Sequence, residues 1–185
     1  MSSILISFFC RITMKRISIN NLSVNPSILF FGTPSFAVPT VEALIKNGYQ
    51  VIGVVTNPDE PVGRKQILTP PPVKVYAETH DISVFQPERL KDAELPLADL
   101  FIVAAYGKII PKSMLKIPKF GTLNVHPSLL PRWRGPSPIQ SVILAGDKET
   151  GVSIMLVDEY MDHGPILTQR VIEVGDKKMP YLRLH

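Results

Sequence analysis

The chain has 185 residues, 45% of them hydrophobic, a length and composition that suit one domain with a continuous core. Its formal charge of +4 does not announce a nucleic-acid binder, because Arg11, Lys15 and Arg16 lie in a head segment without an acid and residues 28–185 set 17 basic against 16 acidic side chains. The single cysteine, Cys10, excludes an internal disulfide and a cysteine-built metal site, and it is compatible with a reducing compartment.

Residues 1–27 form the head. Its apolar run, 4–10, precedes the charges, whereas a secretory signal has them first, and the run is too short to span a bilayer; no membrane role is expected. Serine, arginine and missing acids fit an organellar transit peptide, against which stand a disordered extension and a start codon set too early, with Met14 or a later position beginning the product. Residues 28–32 then read as a buried strand, broken by Thr33-Pro34-Ser35. Residues 39–47 put Val41, Leu44 and Ile45 on one helical face, with Pro39 at the first position and Gly48 as the stop.

Residues 50–56 are the second strand, a polar loop with glycine and proline covers 57–69, and a helix follows over 72–79. A short extended piece lies at 83–85. Residues 98–105 have the unbroken apolar character of a central parallel strand, and 121–125 form another. The segments 151–157 and 165–174 are β-branched and alternating, which makes them further strands with scope for antiparallel pairing; a turn holding Asp162-His163-Gly164 joins them. Residues 179–185 look like a helix that begins without a stop, which suggests a product cut short.

This βαβ rhythm predicts an α/β domain over 28–185: a doubly wound, mostly parallel sheet with helices on both faces, its chemistry in the crevice beyond the carboxyl ends of the strands. Asn124 and His126 fall at such an end. The stretch from Gly32 to Ala37 has one glycine where the dinucleotide fingerprint needs three, and Pro34 removes a backbone donor, so no NAD is expected. Gly63-Arg64-Lys65 lacks the spacing of a phosphate loop. His80, His126, His163 and His185 make no ligand-spaced pair, so no metal is expected either.

The run GTLNVHPSLLPRWRGPSPIQ at 121–140, with ILFFGTP at 28–34, Phe85-Gln86-Pro87, Ala104-Ala105-Tyr106-Gly107 and Met161-Asp162-His163-Gly164-Pro165, resembles the active-site signatures of the folate-dependent formyltransferases. Order and spacing agree over about residues 28–178, and LPRWRGPSPIQ is nearest to the branch that acts on initiator methionyl-tRNA. The resemblance implies a Rossmann-like catalytic domain and a translation-initiation reaction. A formyl group would pass from 10-formyltetrahydrofolate to the free α-amine of methionyl-tRNA. It also implies that Asn124, His126 and Asp162 are catalytic. Tyr106, Gly107 and Ile109, with Ser128, Leu129, Leu130 and Pro131, would line the folate pocket. Arg64 and Lys65 would contact the tRNA acceptor end, and Arg132 and Arg134 would add contacts nearby. The family's C-terminal tRNA-binding domain has no counterpart in 185 residues, so weak tRNA binding is expected. A monomer in the cytoplasm is expected, or in an organelle if the head is a transit peptide.

Chemistry supports this reading from the residues themselves. An amine attacking a formyl carbon builds a tetrahedral centre with a negative oxygen, and each preorganised donor there can be worth ~2.7 to 4 kcal/mol. Side chains two apart on a strand emerge on the same side, so Asn124 and His126 can both donate to that oxygen. The attacking amine must then lose a proton to His126 or Asp162, directly or through a water, for a gain of ~10² to 10⁴. Asp162 would also fix the imidazole's tautomer. Each residue has an ordinary competitor: Asn124 as a strand-end cap, His126 as a satisfied structural histidine, Asp162 as a turn acid before glycine. His163 reads as incidental, Trp133 as an anchor under its loop, and Arg64 and Lys65 equally as solvated charges. A sister enzyme acting on a small amine and a noncatalytic folate- or tRNA-binding module remain as alternatives.

Overall fold

The computed structural model describes residues 25–175, so the expectations about the head before Asn25 and the helix over 179–185 lie outside the described residues. The chain divides into two compact units, with Thr122 and Leu123 at their boundary. Seven strands supply the mostly parallel α/β sheet that the sequence predicts, four in the first unit and three in the second.

In the first unit, β1 (Ser27–Gly32) pairs in parallel with β2 (Gln50–Val55) and with β6 (Leu100–Ala104); Phe30 stands opposite Val54 on one side and Ile102 on the other. β5 (Val84–Phe85) continues the parallel set beyond β2. Ile28, Leu29, Phe30 and Phe31 are all fully buried, which is why this segment reads as an unbroken apolar run and not as an alternating one. The strand starts at Ser27, one residue before the expected boundary, because the Ser27 amide and hydroxyl both donate to Asp99 Oδ2, at 2.9 and 2.8 Å.

α1 (Val38–Lys46) carries Pro39 in its first turn, and Gly48, in the left-handed region at φ 77°, ends it as expected. α2 (Pro72–Glu78) likewise opens on a proline, which needs no backbone donor there. The segment expected to be a loop contains a hairpin, β3 (Glu60–Val62) against β4 (Ile67–Thr69), turned by residues 63–66 with Gly63 at φ 71° and Gln66 at φ 49°. Three-residue strands carrying Pro61 give too little periodicity to be read as strands. A short helix, α3 (Lys112–Leu115), follows Pro111 and was not expected.

In the second unit, β7 (Thr122–His126) runs antiparallel to β8 (Glu149–Leu156), and β8 runs antiparallel to β9 (Ile166–Glu173). The register sets His126 opposite Ser153, and Ser153 opposite Gln169. α4 (Pro138–Ala145) lies between β7 and β8 in the chain and ends at Gly146, φ 67°.

Candidate active site

β7 delivers Asn124 and His126 from one side of a strand end. The turn between β8 and β9 delivers Asp162. That turn is tight: a Cβ on Gly164 would fall 1.9 Å from the Leu156 carbonyl oxygen, so no other residue fits, and Asp162 itself sits at φ 48°. Aspartate tolerates the left-handed region better than most residues because its short carboxylate can bond to nearby backbone.

The three side chains meet. Asn124 Nδ2 donates to Asp162 Oδ1 at 3.1 Å, and the Gly135 amide donates to Asp162 Oδ2 at 2.9 Å. His126 Nδ1 stands 3.6 Å from the same Oδ2, an ion-pair distance that is long for a direct hydrogen bond. The side chains of His126 and Asp162 are only 5% and 12% exposed, so charge on either is poorly screened. On its far side the imidazole donates from Nε2 to the Trp133 carbonyl at 2.9 Å. A carbonyl can only accept, which puts a proton on Nε2 and leaves Nδ1 as the nitrogen able to accept one. Asp162 therefore holds Asn124 and Gly135 and faces Nδ1 of His126.

The 128–134 loop after β7 is held from below. Ser128 Oγ donates to the Arg132 carbonyl at 2.7 Å. Ser153 Oγ, fully buried, donates to the Ser128 carbonyl at 2.6 Å and accepts from the Leu130 amide at 3.1 Å and from Gln169 Nε2 at 2.8 Å. Gln169 Nε2 also donates to the Leu130 carbonyl at 2.8 Å, so both backbone groups of Leu130 are occupied. Leu130 is buried, Leu129 half-buried and Pro131 exposed. A cavity of about 460 Å³ is lined by Leu129, Arg132, Trp133, Asp147, Lys148, Glu149 and Thr150, and the three candidate catalytic residues are not among them.

Arg132 is already engaged, donating to Asp147 Oδ1 at 2.7 Å and lying over the Trp133 ring. Arg134 is exposed, and its charge helps hold the Asp158 carboxyl below the usual range, after the larger effects of hydrogen bonds from His163 and from the Tyr160 amide. His163 pairs with Asp158 at 2.9 Å on the surface and takes no part in the Asn124 cluster.

The remaining sequence candidates belong to the first unit. Tyr106 is 2% exposed and packs edge-on against Phe31, so its ring belongs to the core; its hydroxyl has no partner among the described residues, and burial pushes its pKa up to about 12. Gly107 and Ile109 are exposed, and Arg64 and Lys65 occupy the exposed tip of the β3–β4 hairpin. Sequence reasoning did not single out the Gly135 amide and the Trp133 carbonyl, because backbone groups leave no residue-type signal, nor Asp147, which lies outside the quoted motifs. No cluster of three or more histidine, cysteine, aspartate or glutamate residues that could hold a metal occurs among the described residues, and no helix among them is long and apolar enough to cross a membrane.

The sequence profile of the family described as formyl transferase matches residues 26–179. The chain is 52% identical over 155 residues to a methionyl-tRNA formyltransferase of Halalkalibacterium halodurans, covering 80% of this chain and 49% of that protein. It is 51% identical over 153 residues to the methionyl-tRNA formyltransferase of Chloroflexus aurantiacus, with the same coverage. The chain thus spans about half the length of the curated relatives it matches. Among solved structures, phosphoribosylglycinamide formyltransferase from Bacillus halodurans superposes with a TM-score of 0.64 at 25% identity, covering 83% of this chain and 82% of that one.

Proposed function

Because this chain belongs to the formyl transferase family, we propose that its second unit carries the centre that moves a formyl group from 10-formyltetrahydrofolate to the α-amine of initiator methionyl-tRNA. The observation that carries this reading is the meeting of Asn124 and His126 over Asp162 at the end of β7. The donor set suits acyl transfer. An amide nitrogen has two hydrogens; Asn124 spends one on Asp162, which aims the other, and that second N–H is the fixed donor to the oxyanion. His126, with its Nε2–H held by Trp133, accepts the amine's proton at Nδ1 and, once protonated there, donates to the same oxygen. Asp162 orients Asn124 directly and stabilises the imidazolium once Nδ1 is protonated.

The folate cosubstrate supplies the formyl carbon. Of the residues proposed to contact it, Leu129 and Pro131 in the second unit have surface open to a ligand while Leu130 supports their backbone from inside; Gly107 and Ile109 in the first unit are open too, and Tyr106 lies in that unit's core. Ser128 is fully buried and acts through the loop it ties down. Arg64, Lys65 and Arg134 are exposed cations suited to tRNA phosphate, and Arg132 serves the loop first.

The test is formyl transfer by this chain from 10-formyltetrahydrofolate to methionyl-tRNA, with glycinamide ribonucleotide as the competing acceptor. Formylmethionyl-tRNA made by the chain and lost in Asn124→Ala supports the proposal. Transfer to the small amine alone assigns the chain to the sister reaction, which the names of its structural neighbours keep in view. Binding of the folate with no transfer to either acceptor supports a noncatalytic module.

A further inference from the structure

Asp147 lies in none of the motifs that carry the proposed chemistry, yet it is tied to His126 by an unbroken chain of contacts. Its backbone is fixed by the stop of α4: Gly146 takes the left-handed turn at φ 67° and donates to the Ile143 carbonyl at 3.1 Å, and the Asp147 amide donates to the Val142 carbonyl at 3.2 Å. The carboxylate then reaches into the 128–134 loop with both oxygens. Oδ1 accepts from Arg132 Nη2 and Oδ2 from Trp133 Nε1, each at 2.7 Å. The Asp147 side chain is 16% exposed; its bond to Trp133 is part-buried, whereas the Arg132 side chain, 62% exposed, leaves that bond open to water.

What they hold is an unfavourable backbone. Trp133 sits at φ 60°, in the left-handed region, which a bulky side chain rarely adopts without support from its surroundings. Three contacts supply that support: the indole bond to Asp147, the Arg132 guanidinium 4.8 Å from the centre of the indole ring, and Ser128 Oγ holding the Arg132 carbonyl. The conformation points the Trp133 carbonyl at His126 Nε2, 2.9 Å away.

We propose that Asp147 is a positioning residue for His126, acting through Trp133 to keep the proton on Nε2 and so to leave Nδ1 free to exchange a proton beside Asp162. With the indole anchor gone, Trp133 relaxes out of the left-handed region, its carbonyl leaves Nε2, and both neutral tautomers of His126 become accessible. The kinetic consequence rests on the formyl-transfer reading above; the tautomer does not.

The test is ¹⁵N NMR of the histidine rings at alkaline pH in the wild-type chain, Asp147→Ala, Asp147→Asn and Trp133→Phe, each shown to be folded by circular dichroism, with a His126→Gln sample to assign the signal. The wild type shows Nε2–H, and Asp147→Ala and Trp133→Phe lose about tenfold of that preference. Asp147→Asn keeps it, because an amide oxygen still accepts from the indole even though the ion pair with Arg132 is gone. In the transfer assay kcat falls about tenfold in the two disrupted variants with KM unchanged, and Asp147→Ala adds nothing to the loss in His126→Gln.

A wild-type tautomer in both folded disrupted variants overturns the proposal. So does an unaltered kcat in a chain that transfers formyl. Should Asp147→Ala fail to fold, Trp133→Phe decides, since it keeps an aromatic ring there while removing the indole N–H. Should the wild-type chain transfer no formyl group, the functional reading fails and the tautomer alone decides the role of Asp147.

Discussion

Asp162 accepts from the Asn124 amide and the Gly135 backbone and faces Nδ1 of His126, so one carboxylate organises three groups. Asp162→Ala leaves two partly buried donors without their acceptor. It should lower the free energy of unfolding by about 1 to 3 kcal/mol, read from a urea titration, and slow transfer by ~10² to 10⁴ in single turnover. Tyr106 makes the opposite case. Its hydroxyl is buried without a partner among the described residues, and burial raises its pKa from 10.0 to about 12. A raised pKa means that the folded state holds its proton more tightly, so the stability tied to that proton is intact below about pH 10 and drains away as pH rises towards about 12. Tyr106→Phe should therefore unfold less readily over that alkaline window than the wild type and lose nothing at neutral pH; a steeper alkaline loss would contradict the burial argument. That Asn124, His126 and Asp162 belong together was legible because the motifs holding them resemble a known family's signature, which residue types carry; the structure brings their side chains together. The Gly135 amide and Trp133 carbonyl were not, since every residue has such groups and only backbone angles, φ 102° and φ 60°, aim these two at the site.

The β7–β8–β9 segment shows why the elements that carry the site tolerate little change. A Cβ at Gly151 would fall 2.1 Å from the Arg170 carbonyl oxygen and 2.5 Å from Leu129 Cδ2. Gly151→Ala should thus displace β9 and the 128–134 loop together, costing about 1 to 3 kcal/mol and raising KM for the folate. Ser153→Ala removes the hydroxyl that joins Ser128, Leu130 and Gln169; a thermal melt should show a loss of similar size, while Ser153→Thr, which keeps a hydroxyl, should recover part of it. Strands with long apolar runs or clear alternation were readable from sequence, as was α1 between Pro39 and Gly48. The hairpin was not, because Val62, Ile67 and Leu68 are more than half exposed and show no buried face. α4 escaped for another reason: Leu144 and Ile143 are exposed alongside buried Val142, so its apolar residues form no stripe, and Pro136-Ser137-Pro138 resembles a loop although Pro138 opens the helix.

At the scale of the molecule, the proposed chemistry and the proposed contacts to tRNA fall in different units. The candidate catalytic cluster and its supports all lie between Asn124 and Gln169, whereas the exposed cations Arg64 and Lys65 lie on the hairpin of the first unit. Since residues 28–185 are nearly neutral, the proposed tRNA binding by this chain rests on a few local contacts. Replacing Arg64 and Lys65 by serine should raise KM for methionyl-tRNA, leave kcat unchanged and reduce the slope of log affinity against log salt by about 1 to 2. No change in that slope would assign both residues to solvent.

The most direct test of the central claim is the single-turnover rate of formyl transfer to methionyl-tRNA at saturating folate, for the wild-type chain and for Asn124→Ala shown to be folded. The account predicts a fall of ~10² to 10³ with folate affinity retained, because Asn124 contributes chiefly in the transition state. A folded Asn124→Ala chain that transfers formyl at the wild-type rate would contradict it.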